Sequence, residues 1–330
     1  MPTERSRPLI SIICPVRNEI GFIDRLVKFL VQVQPEAKEC IFADGGSTDG
    51  TLQVLQKYTV QYPDIIRVVH NPHRFIPHAL NIAITKCRAD KICRIDAHSL
   101  YAEDYFEQIL KTFFETGADI VGGVSQSAGT TTVQRATAKA LSSVLGAGNS
   151  KYRLAKFRGF TEHVSFGAWK REVIHAIGGF DEDLLRNQDE EFQYRAKGAG
   201  FKVYSDPDIR LWHHPRETIS ELFQQYYRYG FYKPLVSFKV KSEMKIRHFI
   251  PGLFTTYLLL LPIALLSSWF LAPLGIYLML VLFFAIKLGK GFNEIDTLLL
   301  VFPAIHTAYG LGYMAGLPNA LVKRSSRIHF

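Results

Sequence analysis

The chain has 330 residues, 48% hydrophobic and 13% aromatic, enough for one large α/β domain with an appendage and a well-buried core. Its formal net charge of +9 admits a nucleic acid, an anionic membrane surface or an acidic substrate as partner. No nucleic-acid recognition motif accompanies the charge, so nucleic acid is set aside.

Met1–Arg7 is polar and lacks the apolar core of a signal peptide, so the N-terminal domain is expected in the cytoplasm. Leu9–Pro15 is apolar and β-branched and reads as a buried strand, followed by helical spacing over Glu19–Val33. Cys40–Ala43 is a second strand. Ser47, Thr48 and Asp49 then offer caps for a helix over Thr51–Tyr58. Ile65–Val69, Lys91–Asp96 and Ile120–Val124 read as further strands, with helices over Ile76–Lys86 and Glu103–Glu115. Strands alternating with helices predict right-handed crossovers and a parallel sheet. The stretch from Gln126 to Ser205 is less regular, with helical patterns at Gly167–Ile177 and Asp189–Ala199. Cys14, Cys40, Cys87 and Cys93 form no CxxC pair and read as reduced core thiols of a cytosolic domain.

Ile219–Lys241 is aromatic and basic, a composition suited to the headgroup layer or to packing on the preceding domain. Arg228, Lys233, Lys239, Lys241, Lys245 and Arg247 gather here, opposed only by Glu243, as a cytoplasmic leaflet attracts. Phe249 to Ile286 then contains no Asp, Glu, Lys or Arg. As one helix it would reach about 57 Å, nearly twice the ~30 Å hydrocarbon core, so two spans are expected, at about 249–268 and 271–288. A third apolar segment, 297–322, is interrupted by Pro303, Gly310, Gly312, Gly316 and Pro318. A full third span would place Lys323, Arg324 and Arg327 outside, and a re-entrant segment would keep them inside. The expected division is 1–218 catalytic, 219–248 interfacial and 249–330 membrane.

A parallel sheet presents its ligands at the carboxyl ends of its strands. Pro15-Val16-Arg17-Asn18-Glu19 follows the first strand, Asp44-Gly45-Gly46-Ser47-Thr48-Asp49-Gly50 the second, and Asp96-Ala97-His98 the fourth. One strand-end Asp is often a helix cap, whereas three in such places argue for a site. Neither GxGxxG after the first strand nor GxxxxGK[ST] occurs, which excludes the dinucleotide fold's glycine turn and the P-loop. A diphosphate would then require a divalent metal held by a strand-end acid.

PVRNE, DGGSTDGT and RIDAH, followed by GGFDE at Gly178–Glu182 and QDEE at Gln188–Glu191, resemble in joint order the family 2 glycosyltransferases of the GT-A fold. The likeness covers roughly residues 8 to 230. It is nearest to succinoglycan-type exopolysaccharide enzymes, where DAH likewise stands in the metal motif. It implies a Rossmann-like nucleotide-diphospho-sugar transferase domain with a C-terminal transmembrane helical region.

The resemblance also implies roles. Pro15, Arg17, Asn18 and Glu19 would line the nucleoside pocket, Asp44 would read a uracil edge, and Arg74 would approach base or phosphates. Asp96 and His98 would hold Mn2+ or Mg2+, with His98 standing where the family usually has a second acid. His213 would complete the coordination, in preference to His214. Asp189 would be the catalytic base, with Glu190 and Glu191 its local rivals. Trp169, Gly178 and Gly179 would shape the acceptor side. Arg228, in a variant of the QxxRW signature, would pair with the diphosphate. The implied enzyme is an inverting, non-processive hexosyltransferase, using UDP-glucose and a polyprenyl-diphosphate-linked saccharide at the cytoplasmic face of an inner or plasma membrane. The alternatives are a polyprenyl-phosphate hexose synthase and an inactive membrane scaffold.

Overall fold

The computed structural model describes residues 7–127, 129–147, 157–240, 249–265 and 267–325. Lys241, Glu243, Lys245, Arg247 and Arg327, invoked above, lie outside the described residues. The chain forms two compact units. One comprises Met1–Gln126 with Leu154–His213, and the other Ser127–Arg153 with His214–Phe330. The excursion of Ser127–Arg153 into the second unit has no counterpart in the sequence-based division.

The first unit begins with the expected alternation: β1 (Ile10–Val16), α1 (Ile20–Gln32), β2 (Lys38–Asp44), α2 (Thr51–Gln61), β3 (Ile66–His70), α3 (Ile76–Lys86) and β4 (Lys91–Arg94). Next come β5 (Leu100–Tyr101), α4 (Tyr105–Thr116) and β6 (Ile120–Ser127). After α5 (Thr132–Leu141) and α6 (Val144–Ala147) of the other unit, the chain continues through β7 (Gly159–Thr161), β8 (Ser165–Lys170), α7 (Arg171–Ile177), α8 (Gln188–Gly198) and β9 (Val203–His213).

The sheet order is β3-β2-β1-β4-β8-β6-β9-β5, with β7 paired to β9. β1 pairs in parallel with β2, Ile12 opposite Cys40, and with β4, Ile12 opposite Cys93. β8 inserts antiparallel between β4 and β6, with Trp169 opposite both Ile92 and Ile120. The sheet is therefore mixed, not all-parallel, and the first part of the predicted helix Gly167–Ile177 is a central strand. Pairing on both edges overrides the local helical preference of Ala168 to Lys170.

Helices cover both faces, which is why β1 and β2 read as near-continuous apolar runs. Ile12, Cys14 and Phe42 face Ile23, Leu26, Leu30, Leu55, Tyr105 and Phe106. Ile13 and Ile41, one residue out of phase, face Leu80, Val173, Phe180 and Phe192. At the amino end of β2 the buried Glu39 accepts hydrogen bonds from Ser11 Oγ (2.6 Å), Arg67 Nη2 (2.8 Å) and Arg88 Nε (2.8 Å).

In the second unit α5 starts with a capping box, Thr131 Oγ1 accepting from Gln134 N at 3.1 Å while Gln134 Oε1 accepts from Thr131 N. Then follow α9 (Ile219–Lys239), α10 (Ile250–Leu259), α11 (Ala272–Leu288) and α12 (Phe292–Ser325). The predicted first span is a ten-residue helix rising about 15 Å, followed by short 3-10 turns at Leu261–Leu265 and Ser268–Leu271. Ser268–Leu288 and Phe292–Val322 are long and apolar enough to cross a membrane.

α12 runs unbroken for 34 residues, so its glycines are not interruptions. A Cβ at Gly312 or Gly316 would collide with the backbone of Tyr227 or Phe231 of α9, and one at Gly230 with the carbonyl of Tyr309. These glycines let two helices meet backbone to backbone. Glu294, near the start of α12, is paired with Arg135 and Lys139 of α5.

Candidate active site

The loops after β1 and β2 are knitted together. Asn18 N donates to Ser47 Oγ (3.0 Å), Thr48 N to Asn18 Oδ1 (2.9 Å), Glu19 N to Thr51 Oγ1 (2.8 Å) and Ile20 N to Asp49 Oδ2 (3.0 Å). The Thr51 hydroxyl is the chief reason Asp49 lies below the usual carboxylate range. Asp44, buried at the end of β2, accepts from Gly46 N (3.0 Å), Ser47 N (3.2 Å) and Ser47 Oγ (2.5 Å). Its carboxylate thus shapes the DGGST loop. A Cβ on Gly45 would lie 3.4 Å from both Arg17 Cδ and Arg74 Cα, so glycine there lets the loops after β1 and β3 close around the strand end.

Arg94 is the last residue of β4, its side chain 6% exposed. Its Nη1 donates to both carboxylate oxygens of Asp189, while Nε and Nη2 donate to Asp96 Oδ1 at 3.2 and 3.1 Å. Burial alone disfavours the guanidinium's charge. The adjacent Asp189 and Asp96 outweigh that and raise its pKa, so it stays a cation. Two acids 93 positions apart in the chain, by the difference of their numbers, therefore share one cation. The Phe166 ring lies 5.9 Å from Arg94 Cζ.

Beside this pair, His98 Nδ1 lies 3.2 Å from Glu19 Oε1, and the His98 and His213 ring centroids are 5.5 Å apart. Among the described residues, the non-glycine residues with positive φ are Asn18 (+56°), Arg74 (+67°), Phe166 (+47°) and Asn187 (+62°). Asn18 precedes Glu19, Arg74 flanks Gly45, Phe166 lies against Arg94 and Asn187 precedes α8. Backbone strain gathered around one cluster of charges is characteristic of functional sites.

α8 presents Asp189, Glu190 and Glu191 in its first turn, and its N-cap, Asn187, makes no side-chain cap bond. Glu191 is buried and gives both oxygens to Arg195, at 2.8 and 2.9 Å. Arg195 in turn donates to the Gly179 carbonyl (2.9 Å) and to that of Ile177. Glu190 accepts from Tyr194 OH at 3.0 Å. Of the three acids, Asp189 is the one directed at the Arg94 cluster.

A sequence model described as glycosyl transferase family 2 matches residues 11–178, a stretch that carries β1, the DGGST loop and Arg94-Ile95-Asp96. The chain belongs to glycosyl transferase family 2. It is 33% identical over 243 residues to the succinoglycan biosynthesis protein ExoA of Rhizobium meliloti, covering 73% of each chain. It is 27% identical over 236 residues, 69% of this chain and 73% of the relative, to a dolichyl N-acetyl-alpha-D-glucosaminyl phosphate 3-beta-D-2,3-diacetamido-2,3-dideoxy-beta-D-glucuronosyltransferase of Methanococcus voltae.

In fold, the glycosyltransferase is similar to the mannosyltransferase PcManGT of Pyrobaculum calidifontis, solved with GDP-Man and Mn2+. The TM-score is 0.57 at 19% identity, covering 97% of this chain and 87% of that one. It is also similar to S. aureus TarS residues 1–349 with UDP, with TM-score 0.52 at 14% identity, covering 96% and 91%. Both neighbours share the GT-A architecture expected from the motifs.

Among the described residues of this family 2 enzyme, no three His, Cys, Asp or Glu side chains stand close enough to enclose a metal ion by themselves. The donor chemistry nevertheless fits a divalent cation that also takes oxygens from a diphosphate. Asp96 carries a carboxylate, and His98 and His213 carry imidazoles with ring centroids 5.5 Å apart, the donor types such an ion accepts.

Other expected residues fall elsewhere. Trp169 is 3% exposed, packed edge-on against Phe180 and tilted against Phe192, both with ring centroids at 5.5 Å. It is a core residue and offers no face to a sugar. Gly179 is pressed against Asn81, which accepts from Phe180 N (2.8 Å) and donates to Phe180 O (2.9 Å). Gly178 takes φ +79° with open space at its Cβ position. Arg228 is exposed on α9 of the second unit, and His214 also belongs to that unit. Arg94 and Phe166 were missed. The RIDAH signal was present, but its arginine reads as an ordinary strand residue until Asp189 is placed.

Proposed function

We propose that this glycosyltransferase is an inverting, non-processive enzyme that moves a hexose, glucose from UDP-glucose, onto a polyprenyl-diphosphate-linked saccharide at the cytoplasmic face of a membrane. The observation that carries the reading is the meeting of Asp96 and Asp189 on Arg94 at the carboxyl end of β4.

Asp189 is the general base. An acceptor hydroxyl attacks the anomeric carbon, its proton passes to a carboxylate oxygen of Asp189, and the bond to the diphosphate oxygen breaks with its electron pair. One displacement inverts the centre and requires no enzyme nucleophile. Pro15, Arg17, Asn18, Glu19 and Asp44 bound the nucleoside pocket, with Arg74 toward the phosphates. Asp96, with an imidazole of His98 or His213, would hold Mn2+ or Mg2+, which when bound neutralises charge on the leaving diphosphate.

The membrane reading is supported by exposed Ile276, Met279, Leu282, Phe283 and Ile286 on α11, an apolar surface that a soluble core helix would bury. The proposed division keeps 219–248 at the interface and the following helices in the bilayer. One relative, named for a dolichyl-linked sugar phosphate, supports a lipid-carried acceptor, and another, named for succinoglycan biosynthesis, supports a role in building a polysaccharide.

The test is transfer from a panel of UDP- and GDP-sugars to polyprenyl-diphosphate saccharides and to bare polyprenyl phosphate, with Mn2+ and Mg2+. Asp189→Asn should retain UDP binding and lose at least about 100-fold in transfer. Unchanged transfer in that variant would move the base elsewhere, and transfer to bare polyprenyl phosphate alone would change the acceptor class.

A further inference from the structure

The fold does not need Arg94 as a cation. It closes a strand whose neighbours Ile92, Cys93 and Ile95 are all buried and apolar, and an aliphatic residue there would avoid desolvating a charge. Its two partners are both acids of the candidate site. The fork geometry separates their roles: Nη1 takes both oxygens of Asp189, and the Nε–Nη2 edge takes Asp96. Asn187, the N-cap of α8, makes no side-chain cap bond, and the Asp189 carboxylate reaches out of its helix to Arg94 on β4. Phe166, held at φ +47°, places its ring against the same guanidinium.

We propose that Arg94 is the positioning residue for the base. One guanidinium fixes where the Asp189 carboxylate stands relative to Asp96, and hence where the acceptor hydroxyl is deprotonated relative to the donor. The inference rests on the reading of Asp189 as base. Arg94 touches neither sugar nor nucleotide in this scheme. Its loss therefore falls mainly on the chemical step, since the Asp96 amide stays bonded to Tyr101 OH at 2.8 Å. Lysine carries the charge but has no fork, and cannot hold two carboxylates at fixed separation.

The test compares Arg94→Ala, Arg94→Lys and Asp189→Asn in the full chain. It measures UDP binding by calorimetry with Mn2+, and kcat and KM on the donor that supports wild-type turnover. Arg94→Ala should lower kcat about 100-fold or more, the scale of a displaced catalytic group, with donor KM and UDP affinity within about threefold. Free guanidinium should restore at least about tenfold of that loss, and nothing in the double variant with Asp189→Asn. A kcat within about threefold of wild type, equal losses in UDP binding and turnover, or no guanidinium rescue would each overturn the proposal.

If Arg94→Ala does not fold, Arg94→Lys carries the test. A kcat at least about tenfold down with unchanged KM supports positioning, and wild-type kcat refutes it. Full transfer by Asp189→Asn would instead sink the base assignment, whatever Arg94 does.

Discussion

Glu39 offers a clean separation of stability from chemistry. It stands at the amino end of β2, while Asp44 and the nucleotide loop stand at the other end of that strand. Its carboxylate is 1% exposed and accepts from Ser11 Oγ, the Arg88 amide and the guanidiniums of Arg67 and Arg88. In Glu39→Gln the amide NH2 would face one of these donors, and both arginines lose their counter-charge. Removing one partner of a buried pair costs about 3–5 kcal/mol. Arg67 and Arg88 are 38% and 37% exposed and can turn toward water, so roughly half of that, about 2 kcal/mol, is expected. For a unit of this size that is a fall in Tm of about 4–8 °C.

The pH dependence follows from the same contacts. Burial pushes the Glu39 carboxyl upward, but the bonds from Ser11 and Arg88 outweigh it and hold it below its ordinary value. A carboxylate with a lowered folded pKa stabilises above its unfolded value of about 4.3, and that contribution is lost as pH falls through the folded value. The gap in Tm between wild type and Glu39→Gln, read by tryptophan fluorescence of the full chain in detergent, should be full at pH 7 and shrink in acid. Donor KM should not change. A gap that widens in acid, or lost turnover at unchanged Tm, would refute the reasoning.

Trp169→Ala should cost about 3–5 kcal/mol through a cavity between Phe180 and Phe192, with donor KM unchanged in the remaining folded protein. A raised acceptor KM at unchanged Tm would restore Trp169 as a sugar platform. Gly312→Leu should force α9 from α12 and yield aggregated material on size exclusion in detergent, and a wild-type profile would contradict the close seam. The four cysteines are free and buried, and burial pushes Cys40 and Cys87 up to about 12. At pH 8 only about one in ten thousand of those two thiols is ionised, so a disulfide reagent should label all four only after unfolding. Rapid labelling of the folded protein would contradict that.

The elements up to β4 were legible because each carries one dominant local signal. α3 was predicted at its observed bounds, Ile76–Lys86, with Pro77 in its first turn. β8 was misread because its six residues are held by β4 and β6, partners far away in the chain. β9 was missed because Ser205-Asp206-Pro207-Asp208 reads as a turn. In the structure Asp206 is buried inside the strand, bonded to Thr112 Oγ1 (2.9 Å) and Arg158 Nη1 (2.8 Å). In α12 the glycines read as breakers because their purpose, close approach to α9, is visible only once both helices are placed. The site followed the same division. Strand-end acids were readable from spacing, whereas the pairing of Asp189 with Arg94 depends on where α8 lies against β4.

The most direct measurement of the central claim is diffraction at the manganese absorption edge from crystals grown with UDP and Mn2+. The account predicts an anomalous peak coordinated by Asp96 and by an imidazole of His98 or His213. The UDP diphosphate should lie on that ion, with Asp189 facing the same cleft. Manganese and nucleotide bound away from Asp96, or Asp189 turned to a different surface, would contradict it.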